Sequence, residues 1–161
     1  MVAAALAMAF LLSAPAPAEP ASCSARPVAV QVDERFAAVL DELLDASPTF
    51  RRQCGRIEGE ALVAIRTLPR AEEQCCRARA TIRRYDSGVV IAMIELPALR
   101  TRAEYAELLG HEFEHILEQL EDVDLAARGE VIPAYSGHAY ETRRAREAGL
   151  AVASEARRAG W

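Results

Sequence analysis

Apolar residues recur along this chain in two different periods, and the changes between them mark its organisation. Val28 to Val32 reads as a short strand. From Asp33 to Ala46 the residues Phe36, Val39, Leu40, Leu43 and Leu44 share one face at helical spacing, and Ser47-Pro48 ends that helix. The period then shortens. Glu60 to Thr67 (EALVAIRT) is strand-like. Arg77 to Tyr85 alternates, with Arg77, Arg79, Thr81 and Arg83 on one side and Ala78, Ala80 and Ile82 on the other, the mark of a half-exposed strand. Asp86-Ser87-Gly88 makes a turn. Val89 to Leu96 (VVIAMIEL) is almost wholly apolar, as in a well-buried strand. Together these pieces predict a small antiparallel sheet, closed by Pro97.

Helical spacing then returns with stronger local signals. Thr101-Arg102-Ala103-Glu104 is a capping box, so a helix is expected from Arg102 to about Asp122. Leu109, Phe113, Ile116, Leu117 and Leu120 form its core-facing stripe. Arg128 to Gly137, with Gly129 and Pro133, reads as a loop. A last helix is expected over His138 to Ala159, rich in Ala and so able to pack closely. The fold class is α+β: a small antiparallel sheet packed on the two C-terminal helices. No internal repeat or membrane span is visible.

Composition narrows the setting. The chain has 161 residues, 27% of them charged, with a net charge of −5 and no basic patch interleaved with aromatics, which excludes nucleic acid as an expected partner. All 19 basic residues are Arg, a mark of GC-rich coding that suggests a bacterial source. Val2 to Leu12 is an apolar run too short to span a bilayer as a mature helix, and Ala16-Pro17-Ala18 is a small-x-small cleavage site. Residues 1–18 are therefore read as a signal peptide and 19–161 as a single exported domain, periplasmic or secreted, with an extended tether from Glu19 to Pro27. The even cysteine count agrees with export and disulfides. Cys75 and Cys76 are adjacent and too strained to bond each other, so Cys23 and Cys54 are each expected to pair with one of them.

The chemistry sits in the second helix, where residues 111–115 read His-Glu-Phe-Glu-His. His111 and His115 are four residues apart, so on a helix they point the same way and can hold one ion between them. Neutral imidazoles are good zinc ligands. Glu112 is rotated about a hundred degrees from His111, where it can reach a water at the metal without binding the metal itself. This is the pattern of a zinc peptidase, two ligands and a general base. A third protein ligand is needed, with one position left open. Glu118 and Gln119 stand where a metzincin would continue toward a Gly and a further His. Glu141 heads an otherwise apolar stripe, Ala145, Ala148, Val152 and Ala156, and a carboxylate there is costly unless paired or bound to metal. His138, Glu118, Asp122 and Glu130 are the alternatives. His138 and Tyr140 border the expected site as donors to an oxyanion, with Tyr135 a third choice. Glu118 and Gln119, one turn beyond His115, either support the ligands or face solvent.

On HEFEH and the YETRRA segment the chain resembles a minimal gluzincin, a zincin-like peptidase with HExxH on one helix and a glutamate ligand on the next. The resemblance covers roughly Glu60 to Ala159. It implies that His111, His115 and Glu141 bind zinc, that Glu112 is the base, and that the substrate is a peptide or protein. The family often has an Asp four residues after its glutamate ligand, which orients a histidine, and here Ala145 stands there. Another acceptor must then hold that imidazole, such as a backbone carbonyl or Asp122. The expected function is zinc-dependent peptide hydrolysis, with substrate extended beside an edge strand. Its rivals are a non-catalytic zincin-like binding module and a metal-free, disulfide-stabilised α+β domain.

Overall fold

The computed structural model describes residues 30–68, 77–98, 100–128, 130–134 and 137–161, with the backbone alone described at 126, 128, 130–134 and 137–139. The leader, the tether, Cys23, Cys75, Cys76 and Tyr135 lie outside the described residues. Cys54 is buried. Among the described residues no helix is long and apolar enough to cross a membrane.

Strand β1 (Val30–Val32) leads into helix α1 (Glu34–Ala46), whose Phe36, Leu40, Leu43 and Leu44 are buried. Ser47 ends α1 as expected, but it also begins a helix that periodicity alone did not predict, α2 (Pro48–Ile57). Its hydroxyl accepts from the Phe50 amide at 3.0 Å, and Pro48 occupies the first turn, where its missing N–H has no helical partner to lose.

The sheet corrects the antiparallel expectation. Strands β2 (Ala61–Thr67), β3 (Arg79–Arg84) and β4 (Val90–Leu96) join β1 in the order β1-β2-β4-β3. β1–β2 and β2–β4 are parallel, and β3–β4 alone is antiparallel. Only the β3–β4 connection is a tight turn, with Gly88 at φ 85. The other pairs are separated by long excursions that return the chain to the same end of the sheet, as parallel pairing requires. One face, with Val63, Ile65, Val90, Ala92, Ile94 and Leu96, is buried under the helices. The other is open: Leu62 and Ile91 are exposed, so β4 is covered on one side only. On that open face Glu95 is buried by the guanidiniums of Arg66 and Arg79, each 2.7 Å from it.

Helix α3 (Arg102–Leu120) starts at the expected capping box, with the Thr101 amide donating to Glu104 at 2.9 Å and the Glu104 amide to the Thr101 hydroxyl at 3.3 Å. It lies between the sheet and helix α5 (Arg143–Arg158), so its polar face is buried as well as its apolar stripe. The two helices cross closely at Gly110 and Gly149: a Cβ on Gly149 would stand 2.7 Å from the Glu107 carbonyl oxygen. A short helix, α4 (Leu125–Arg128), leads into the stretch expected as a loop, which instead begins a two-stranded antiparallel ribbon: β5 (Glu130–Ala134) falls within it and β6 (Gly137–Glu141) continues into the start of the expected last helix. The last helix therefore begins at Arg143, not His138. Thr142 caps it, its hydroxyl accepting from the Ala145 amide at 3.0 Å. His138, Tyr140 and Glu141 are strand residues, a correction to the glutamate-on-helix arrangement.

Candidate metal centre

The α3–α5 crossing brings the end of β6 over the middle of α3. One helical turn separates His111 and His115, and their Nε2 atoms stand 3.2 Å apart. Glu141, the last residue of β6, places Oε2 3.4 Å from His111 Nε2. The ligand atoms of His111, His115 and Glu141 all lie within 4.8 Å of one another, a group that could hold a metal ion. A tetrahedral zinc with bonds of about 2.0–2.1 Å has ligand atoms about 3.3 Å from each other, close to the two shortest separations. The second oxygen of Glu141, Oε1, is buried and has no hydrogen-bond partner among the described residues. A buried carboxylate oxygen left unpaired is costly in the absence of a cation, so the donor set fits a metal.

Burial and neighbouring charge set the protonation of these groups. Burial, reinforced by His115, lowers the His111 pKa to about 4, so this imidazole is neutral near pH 7, the ligating form. Burial works to lower His115 too, but a hydrogen bond to Glu118 and the charges of Glu112, Glu118 and Glu141 outweigh it and raise its pKa. Glu112 is 5% exposed, and burial pushes its carboxyl up to about 7, against the pull of His115 and a backbone hydrogen bond with Ala80 of β3. Burial also raises Glu141.

The remaining expected residues divide. Asp122 is exposed, at φ 53, and ion-paired with Arg84 at 2.9 Å, away from the two histidines. Glu118 is fully buried in contact with His115. His138 and Tyr140 share β6 with Glu141, opposite Pro133 and Val131 in the ribbon, and Glu130 pairs with Glu141 itself. Tyr140 is half-buried.

Sequence reasoning passed over a second polar cluster behind α3. Gln53 of α2 donates to the Gly110 carbonyl at 2.9 Å and to Glu114 at 2.7 Å. Arg144 of α5 donates to the other Glu114 oxygen at 2.5 Å and also binds Glu121, which Arg56 shares. These bonds tie α2 and α5 to the helix that carries the histidines. The available signal was a second glutamate, Glu114, inside an otherwise core-bound helix. Compared with known proteins, the chain matches no family model, no curated protein and no solved structure.

Proposed function

We propose that this chain is a zinc-dependent peptidase in which His111, His115 and Glu141 hold the metal and Glu112 is the general base. The observation that carries the proposal is the convergence of two imidazole Nε2 atoms and a half-buried carboxylate on one point, with the fully buried carboxyl of Glu112 beside them. Zinc held there would act as a Lewis acid, polarising a carbonyl and acidifying a water. Glu112 adjoins His111 in sequence but projects from another part of the helix surface, as a residue that takes a proton without ligating must. A carboxylate placed there can accept that proton and pass it to the leaving amine.

A route for the substrate is also supported. β3 is one of the two edge strands of the four-stranded sheet, and its Ala80 adjoins Glu112. A peptide added to that edge would run past the base with its backbone held by main-chain hydrogen bonds. His138 and Tyr140, carried on β6 with Glu141, are the proposed donors to the developing oxyanion. The leader-like first eighteen residues support export, so the proposed substrate is a periplasmic or extracellular peptide or protein.

The test is zinc content of the purified protein, made in an oxidising compartment, for wild type and Glu141→Ala. The expected result is about one zinc in wild type, as three protein ligands would hold, and a large loss in the variant. A peptidase screen with Glu112→Gln follows: that variant should keep its zinc and lose hydrolysis. A folded wild type that takes up no zinc refutes the proposal.

A further inference from the structure

Ala145 offers no side chain to hold an imidazole, and Asp122 is turned away to Arg84. A different carboxylate occupies the space between the ligand arms. Glu118 of α3 is 1% exposed, with both oxygens engaged. Its Oε2 lies 2.8 Å from His115 Nδ1, and its Oε1 accepts from the Thr142 hydroxyl at 2.7 Å. Thr142 directly follows Glu141 and is itself buried.

We propose that Glu118 is the positioning residue of this site: its two oxygens hold the His115 imidazole and, through Thr142, the strand end that carries Glu141. This assignment presupposes that the triad holds zinc. A carboxylate facing Nδ1 requires the proton there, which leaves the Nε2 lone pair of His115 free and aimed at His111, the tautomer a metal ligand needs. On the other side, the Thr142 hydroxyl donates to Glu118 while accepting from the Ala145 amide, so one hydroxyl fixes both the start of α5 and the backbone next to Glu141. His115 belongs to α3 and Glu141 to a ribbon strand remote in sequence. A single buried carboxylate bonded to both arms holds them at a constant separation, which neither backbone does alone. Burying that charge is tolerated only because both oxygens are bonded.

The test measures zinc affinity by chelator competition for wild type, Glu118→Gln and Glu118→Ala, with far-ultraviolet circular dichroism as the check on folding. Glutamine matches the shape of glutamate and offers an oxygen to His115, so Glu118→Gln should fold and bind zinc about tenfold more weakly. Glu118→Ala should lose about 100-fold, the upper range for removing a partner of a ligand. Cobalt in place of zinc supplies a readout that a purely structural role would not move. The visible band of the Glu118→Gln protein should keep the wild-type coordination number while shifting in energy. Wild-type affinity in both variants overturns the role of Glu118 and leaves the metal site intact. A cobalt spectrum showing one ligand fewer in Glu118→Gln overturns it differently, by making Glu118 a ligand. Absence of zinc from wild type removes the metal site, and this role with it.

Discussion

Gly149→Ala tests whether the close crossing of α3 and α5 is what delivers Glu141 to the histidines. The added Cβ would stand 2.7 Å from the Glu107 carbonyl oxygen and 3.1 Å from the His111 Cβ. The first contact falls about 0.7 Å short of ordinary van der Waals distance. The atom it meets is helix backbone, which cannot swing aside as a side chain does, so α5 must move away from α3. Thr142 and Glu141 are joined directly to α5 and move with it. Metal ligands need to be held within about 0.5 Å of their working positions, so the shift is enough to loosen the site. Two opposing terms act on stability. Alanine gains about 1 kcal/mol over glycine inside a helix, whereas overpacking costs about 1–3 kcal/mol. The net expected loss is about 0–2 kcal/mol, with zinc affinity lowered about tenfold or more, equivalent to at least about 1.4 kcal/mol. The assays are denaturant unfolding of the metal-free protein and chelator competition for zinc. Leu150→Ala, at an exposed neighbouring position of the same helix, should leave affinity unchanged. A Gly149→Ala protein about 1 kcal/mol more stable than wild type, with wild-type zinc affinity, would refute the reasoning.

Two further outcomes follow from charged groups outside the candidate metal site. Glu95 is buried between Arg66 and Arg79, and burial alone would raise its pKa, but the two guanidiniums outweigh that and hold it low. Glu95→Ala should lower stability by about 1.5–3 kcal/mol in denaturant unfolding, the range for charge-assisted hydrogen bonds; an unchanged midpoint would rule out a stabilising role. Glu121 is held down to about 2, first by its hydrogen bond from Arg144 and then by Arg56, from an ordinary 4.5. The unfolded chain therefore takes up this proton at a higher pH than the folded one. The stabilisation is fully present above pH 4.5 and is lost as pH falls from there toward 2. The acid-side loss of stability should be shallower in Glu121→Gln than in wild type, and identical slopes would contradict this sign.

Much of the chain was legible locally. The α1 stripe, the Thr101–Glu104 capping box, the turn at Gly88 and the one-turn spacing of His111 and His115 all depend on residues a few positions apart, and short-range geometry decides them. Ser47-Pro48 and Thr142 were equally local but ambiguous. A Ser-Pro pair that stops one helix is also the best start for another, and Thr142 capped α5 where Ala-rich periodicity, running smoothly back to His138, hid the boundary. The β5–β6 ribbon was masked by Pro133, which weakens a strand reading yet is tolerated in a pair whose strands are both edges.

Other features were decided by tertiary structure alone. A period of two reports that a strand has one buried face and says nothing about its partner, so the parallel β1–β2 and β2–β4 pairings depend on where the intervening helices and strand return the chain. The face of α3 bearing His111, Glu114, His115 and Glu118 reads as polar in one dimension, yet Glu114, His115 and Glu118 are buried there by the packing of α2 and α5, while Glu112 is buried on the side toward β3. Glu141 could be chosen from the sequence as the third member of the triad, but its place at a strand end, its unpaired oxygen and the reach of Glu118 to both arms required the fold. The physical reason is common to all of these. A residue's neighbours along the chain set its local conformation, whereas the protonation, pairing and ligand geometry of a buried polar group are set by atoms that only the folded chain brings within a few ångströms.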